Sequence, residues 1–279
     1  MKISLVIPNL NYGEYLEACL SSVAAQTHRE LEVILIDGGS IDHSQQVFQT
    51  FAAQYGWKFF VRPNESQAAA IAWGLAHTTG EVQGWLNSDD LFLTARALET
   101  VVGEFQNRPA LDIFSAGGYY VDRAGHYLRP CKLQAHPLFQ QTRLSLRGGL
   151  VQPASFWRRR VFESIGFDAS LRYSFDTDFF IRAAEQFNLL IDQNLFLSGY
   201  RLHGANLSTG IKVERVQELV RMARKRNDSF YRRSHLRMIW LLLRLLDILP
   251  PALALSLKQA VYAANNFLSY VTVYRIPSI

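Results

Sequence analysis

The chain has 279 residues, 49% of them hydrophobic, enough for one large domain with its own core plus an appendage. A formal net charge of +5 and an isoelectric point of about 9.2 predict an anionic partner: a nucleotide, an acidic lipid surface or a nucleic acid. Two cysteines, Cys19 and Cys131, are too few for a disulfide framework and point to a reducing compartment. Neither stands in a spacing that would hold structural zinc. The sequence enters a strand-like run directly after Lys2, so no signal peptide is expected.

The elements alternate. "ISLVIPN" (3–9) is short, apolar and rich in β-branched residues, and reads as a buried strand. "YLEACLSSVAAQ" (15–26) places Leu16, Leu20 and Val23 on one helical face. "LEVILID" (31–37) is the second strand, and Ser40 is the expected cap of a helix running to Tyr55. "WKFFVR" (57–62) is the third strand, and Ser66 is the expected cap of "QAAAIAWGLAH" (67–77). "VQGWL" (82–86) is the fourth strand, Thr94 the expected cap of "ARALETVVGEF" (95–105), and "LDIFSAG" (111–117) the fifth strand. Strands alternating with helices of this length predict an α/β fold: one mostly parallel sheet flanked by helices.

In such sheets ligands bind outside the carboxyl ends of the strands. Pro8, Asn9 and Asn11 follow the first strand; Asp37, Gly38, Gly39 and Ser40 the second; Ser88, Asp89 and Asp90 the fourth. One Asp after a strand can simply form a turn. The pair at 89–90 is different, because adjacent carboxylates disfavour each other's ionisation unless a positive charge is near. A hard divalent cation, Mg²⁺ or Mn²⁺, shared with substrate phosphates would supply that charge. There is no GxxxxGK[ST] loop and no GxGxxG after the first strand, which argues against P-loop and dinucleotide sites.

At this point the sequence resembles a known family. "SLVIPNLNYGEYLEACLSSVAAQTHRELEVILIDGGSIDHS" is similar to the opening of the family 2 glycosyltransferases, which have the GT-A fold. The matching positions are Val6, Pro8, Asn11, Ser22, Gln26, Thr27, Glu32, Asp37, Gly39, Ser40 and Asp42. "GEVQGWLNSDD" resembles the segment carrying the family's DxD-type metal motif, "QPASFWRRRVFESIGFDASLRYSFDTDFFIRAA" (152–184) its acceptor-side segment, and "YRLHGANLS" (200–208) the close of its catalytic domain.

The resemblance implies an inverting transferase that moves a sugar from a nucleotide-diphosphate sugar, usually UDP-linked, to a hydroxyl of a glycan or lipid-linked acceptor. It implies a role in cell-surface polysaccharide synthesis. It assigns the donor site to Pro8, Asn9, Asn11, Asp37, Gln67, Ser88 and Asp89, with Asp37 recognising the base. It assigns a Mn²⁺ or Mg²⁺ ion to Asp89, Asp90 and His203; the alternative for His203 is a structural histidine. The general base falls on Asp176 in "YSFDTDFFIR", with Asp178 next in line and Arg182 at the family's Arg position. The alternative for Asp176 is a helix cap. Phe175 stands where many members are acidic, and Ala69 and Ala72 where many are polar. The alanines leave the identity of the donor open, and Ala72 and Phe175 keep a second reading open, a catalytically inactive nucleotide-sugar-binding or scaffold protein. A nucleotidyltransferase is disfavoured by the missing Gly-rich basic loop.

The last part differs in character. Residues 1–210 read as the catalytic domain and 211–279 as a basic, amphipathic helical extension. Between Lys212 and Arg237 the basic residues far outnumber Glu214, Glu218 and Asp228. The apolar stretch 238–271 is broken by Arg244, Asp247 and the Pro250-Pro251 pair, too short in each run to span a bilayer. Such a region fits peripheral contact with an anionic membrane at its cytoplasmic face, or else a packing or dimer layer. Nucleic acid is not an expected partner, for no binding module is recognisable.

Overall fold

The structure is a computed structural model, which describes residues 1–131, 150–203, 213–225 and 241. The chain divides into two compact units, Met1–Asn206 and Leu207–Ile279.

Four strands open the first unit: β1 (Ile3–Asn9), β2 (Leu31–Asp37), β3 (Lys58–Val61) and β4 (Val82–Trp85). They lie side by side in the order β3-β2-β1-β4, all parallel. The helices between them are α1 (Gly13–Ala24), α2 (Ser44–Tyr55) and α3 (Gln67–Ala76). Alternation along β1 sends Ile3, Leu5 and Ile7 into one core with Leu16, Leu20 and Val23 of α1. On the opposite face α3 presses close: a Cβ at Gly74 would stand 2.7 Å from Val6 Cγ1 and 2.8 Å from Ile36 Cδ1. Only glycine allows that approach.

The second half of the sheet is mixed. Its strands are β5 (Leu91–Phe92), β6 (Ile113–Val121), β7 (Tyr127–Cys131), β8 (Ser155–Arg158) and β9 (Leu189–Arg201). β8 pairs antiparallel with both β4 and β6, β6 runs parallel to β9, and β7 and β5 add antiparallel to β6 and β9. The helices here are α4 (Ala97–Asn107), α5 (Arg159–Ile165) and α6 (Phe175–Gln186). The parallel character expected from the sequence thus holds for β1–β4 and for the β6–β9 pair. The strand expected at 111–117 runs on to Val121, where β7 and β9 pair with its second half.

Ser66 caps α3 as expected, its hydroxyl accepting from Ala69 N at 3.2 Å. The other two expected caps are corrected. α2 starts at Ser44 after His43, because the Ser40 hydroxyl is turned to Asp37 and Asn11. α4 starts at Ala97 after Arg96, and Thr94 contributes only its carbonyl, to Gln26 and Ala97.

Of the second unit, α7 (Val213–Lys225) and Leu241 are described. Glu214 in the first turn of α7 and Arg224 and Lys225 in the last suit the helix dipole. Lys212 and most of the basic and apolar stretch read from the sequence lie outside the described residues. Among the described residues no helix is long and apolar enough to cross a membrane.

Candidate active site

The carboxyl ends of β1 and β2 build a polar floor. Asp37 is fully buried at the end of β2. Its Oδ1 accepts from Ser40 Oγ at 2.6 Å and Asn9 Nδ2 at 3.1 Å, and its Oδ2 from the main chain of Gly39 and Ser40 and from Gln45 Nε2. Asn11 takes a left-handed φ of 58°, held from both sides. Its main-chain N donates to Ser40 Oγ, and its Oδ1 accepts from Ile41 N. Asn9 Oδ1 is buried with no protein partner, an acceptor that the fold itself does not use.

Pro8 is tolerated beside this floor because of the hydrogen-bond pattern. Asn9 O accepts from Gly38 of the β2 side and Val6 O from Leu86 of the β4 side. Alternation therefore turns the Pro8 nitrogen toward β4, past its last residue paired with β1, Trp85. The missing N–H costs no ladder bond there.

The β4 end carries the second group, Asn87, Ser88, Asp89 and Asp90, with the last three buried. Asp90 Oδ1 accepts from Arg201 N at 3.0 Å. Burial and the neighbouring charge of Asp89 push the Asp90 carboxyl well above its usual range, against the pull of Arg201 and Asn87. Asp89 Oδ2 meets His203 Nε2 at 3.0 Å. The His203 ring stacks on Tyr15 at 4.6 Å and takes the edge of Tyr12 at 5.3 Å. Burial and the Asp89 charge raise the Tyr12 hydroxyl to about 12, which keeps it a neutral donor. The β1–α1 loop thus reaches both groups: Asn11 binds the floor, and Tyr12 packs on His203, the partner of Asp89.

Asp176 lies half-buried in the first turn of α6. The cap position belongs to Ser174 and the helix begins at Phe175, so the capping alternative is corrected. Asp178 is paired with Arg182 at 2.6 Å, whose other N–H groups bind the carbonyls of Ile165 and Gly166. Asp178 is thereby committed to holding α6 against α5. Phe175 is buried among rings, 5.1 Å from Phe167 and 6.1 Å from Trp85, and Phe180 stacks on Trp85 at 5.9 Å. α6 therefore rests on the last residue of β4, immediately before the carboxylate turn.

Several residues of the site escaped the sequence reading. Arg201 is buried, and its guanidinium donates to the carbonyls of Asp89 (2.8 Å), Asp122 (3.3 Å) and Arg123 (2.8 Å). It ties the carboxylate turn to the loop after β6. Asn87 and Gln152 join in a 3.0 Å hydrogen bond, and Gln67 donates to Asn87 at 3.0 Å. Gln67, read from the sequence as a donor contact, is bound to the turn.

The model of the family described as Glycosyl transferase family 2 matches residues 4–166. The chain belongs to this family. The PGL/p-HBAD biosynthesis glycosyltransferase of Mycobacterium bovis is 30% identical over 182 residues, 64% of this chain and 68% of that protein. An uncharacterized glycosyltransferase of Nostoc sp. is 35% identical over 132 residues, 44% of this chain and 41% of its own length. The match thus spans less than half of that relative.

Among solved structures, S. aureus TarS 1-349 in complex with UDP-GlcNAc aligns with a TM-score of 0.63 at 16% identity, over 85% of this chain and 69% of that one. The mannosyltransferase PcManGT from Pyrobaculum calidifontis, in complex with GDP-Man and Mn2+, gives 0.60 at 17%, over 94% and 74%. These two show that the chain has the GT-A-like fold expected from its sequence.

Proposed function

We propose that this glycosyltransferase is an inverting enzyme that moves a sugar from a UDP-linked donor to a hydroxyl of a glycan or lipid-linked acceptor. The observation that carries the reading is the Asn87–Asp90 turn, with two buried carboxylates and His203 at the end of a central strand. The polar floor of Asn9, Asn11, Asp37 and Ser40 lies beside it and supplies the nucleoside pocket. The unpartnered Asn9 Oδ1 is acceptor capacity suited to a nucleobase N–H.

The donor set fits a divalent cation. Two carboxylates and an imidazole suit Mg²⁺ or Mn²⁺, and one of the carboxylates is costly to ionise as the protein stands. Among the described residues no three His, Cys, Asp or Glu groups converge as a complete metal site. Asp89, Asp90 and His203 would therefore hold the ion together with the donor diphosphate. Once bound, it would stabilise the negative charge developing on the leaving diphosphate.

Asp176 takes the acceptor proton. The hydroxyl oxygen bonds to the anomeric carbon from the face opposite the nucleotide, its proton passes to the Asp176 carboxylate, and the bond to the diphosphate breaks with its electron pair on the leaving oxygen. Phe175 is explained by packing, so its departure from the acidic family position does not favour an inactive protein. We extend the proposal to the C-terminal region, whose basic residues suit contact with an anionic membrane face and a lipid-linked acceptor.

The test is a donor screen that follows release of UDP or GDP with and without Mn²⁺. Nucleotide release that needs both metal and acceptor supports the reading. Nucleotide binding without turnover on any donor would leave the inactive reading in its place.

A further inference from the structure

The donor half of the sheet, β1–β4, and the acceptor half meet at a short seam. β4 and β8 pair only at Val82↔Arg158 and Gln83↔Trp157, so the ladder stops two residues before β4 ends. Past that point a side chain crosses instead. Gln152, in the turn Gln152–Ala154 before β8, donates from Nε2 to the Trp85 carbonyl at 2.7 Å. Its Oε1 accepts from Asn87 Nδ2 at 3.0 Å, and Asn87 Oδ1 accepts from Gln67 Nε2 at 3.0 Å.

The three amides form one chain with a fixed direction. The Trp85 carbonyl can only accept, so the nitrogen of Gln152 must face it and the oxygen of Gln152 must face Asn87. The nitrogen of Asn87 is then turned toward Gln152, where it also approaches Asp90 Oδ2 at 3.5 Å. A flipped Asn87 would set its oxygen against both Gln152 Oε1 and the Asp90 carboxylate. Gln152 is buried, so both of its bonds are costly to lose. The chain ends on Trp85, the residue on which α6 and its Asp176 rest through Phe175 and Phe180.

We propose that Gln152 is a positioning residue for sugar transfer. Its amide straps the two halves of the sheet together at the cleft and sets the Asn87–Asp90 turn in register with α6. The proposal rests on the functional reading above for its kinetic consequence, though not for its structural one. Sub-ångström alignment of donor and base matters because small misplacements cost large factors in rate.

The experiment compares wild type with Gln152→Met, which removes both hydrogen bonds at similar volume. Main-chain hydrogen exchange, measured without donor, is expected to rise about tenfold or more in residues 85–90 and to stay unchanged in β1 and β2. In turnover, kcat for transfer is expected to fall about 10–100-fold with donor KM held within about threefold. Gln67→Met, at the half-buried far end of the chain, serves as a second variant read by exchange alone, and exchange at 85–90 is expected to rise more weakly in it. Unchanged exchange at 85–90 in both variants, or a transfer kcat of Gln152→Met within about threefold of wild type, overturns the proposal. A wild-type protein that transfers no sugar from any donor overturns the functional reading instead, while the exchange measurement still decides the strap.

Discussion

His203 Nε2 stands 3.0 Å from Asp89 Oδ2, with its ring stacked on Tyr15. The stack fixes the plane of the imidazole, so its nitrogen is aimed rather than free to rotate. His203→Gln keeps a hydrogen-bonding group but loses that aim. The expected result is a Mn²⁺ requirement raised about 10–100-fold, read as the metal concentration at half-maximal nucleotide release. An unchanged metal requirement would return His203 to a purely structural role.

Asp90→Asn separates stability from activity. The Asp90 carboxyl is pushed well up by burial and by Asp89, so the charged form strains the fold. An amide in its place removes the like-charge pair and keeps an oxygen for Arg201 N. The variant is expected to melt no lower than wild type and to lose turnover. Chelation with EDTA should likewise abolish transfer by the wild-type protein; full activity after chelation would reject the metal.

Asp176→Asn should cut transfer about 10²–10⁴-fold and leave nucleotide affinity unchanged, because a base acts on the acceptor. Asp178 is the control. Its pairing with Arg182 holds α6 to α5, so Asp178→Asn should lower the melting temperature. Loss of less than about threefold in Asp176→Asn would move the base elsewhere.

These assignments also show what could be read from the sequence. The runs 3–9 and 31–37 are continuous, apolar and β-branched, and they match β1 and β2 end to end. The pair at 89–90 follows β4 after only Leu86, Asn87 and Ser88, so its place beyond the strand's carboxyl end was legible. Arg201 was not, because the carbonyls that its guanidinium binds lie 78 to 112 residues away and, being main chain, carry no side-chain signature. β5 is two residues long and exists only through β9, so no local periodicity announces it. Ser40 illustrates a third limit. It has the chemistry of a helix cap, but a nearby carboxylate and a loop amide take its hydroxyl first.

The basic C-terminal region gives a solution test. About 1 kcal/mol of attraction per basic residue near an anionic surface, added over this segment, predicts sedimentation with anionic liposomes at low salt. Partial release at high salt should follow from screening. A chain ending at Asn206, the boundary of the first unit, should lose this binding. Equal sedimentation of the two forms would favour a packing or dimer role.

The final prediction concerns Glu32, a family-pattern residue at the opposite end of β2 from Asp37. Burial alone would raise its carboxyl, but Lys58 Nζ at 2.9 Å, Ser4 Oγ at 2.7 Å, Thr79 N at 2.7 Å and the charge of Lys2 hold it at about 2. The four partners come from β1, β3, the N-terminus and the loop before β4, so one carboxylate ties these segments together. Its folded value lies below the ordinary 4.5, so the folded protein binds fewer protons than the unfolded chain. The stabilisation is therefore fully present above about pH 4.5 and drains away as pH falls toward 2. The shift corresponds to at most about 3 kcal/mol, reduced because Lys2 and Lys58 are partly exposed and screened by salt. Glu32→Gln should lower stability near neutral pH and flatten the acid limb of the stability curve between pH 4.5 and 2. Urea unfolding midpoints across that range provide the measurement. A variant whose acid limb is as steep as that of wild type would show that other carboxylates carry the acid sensitivity.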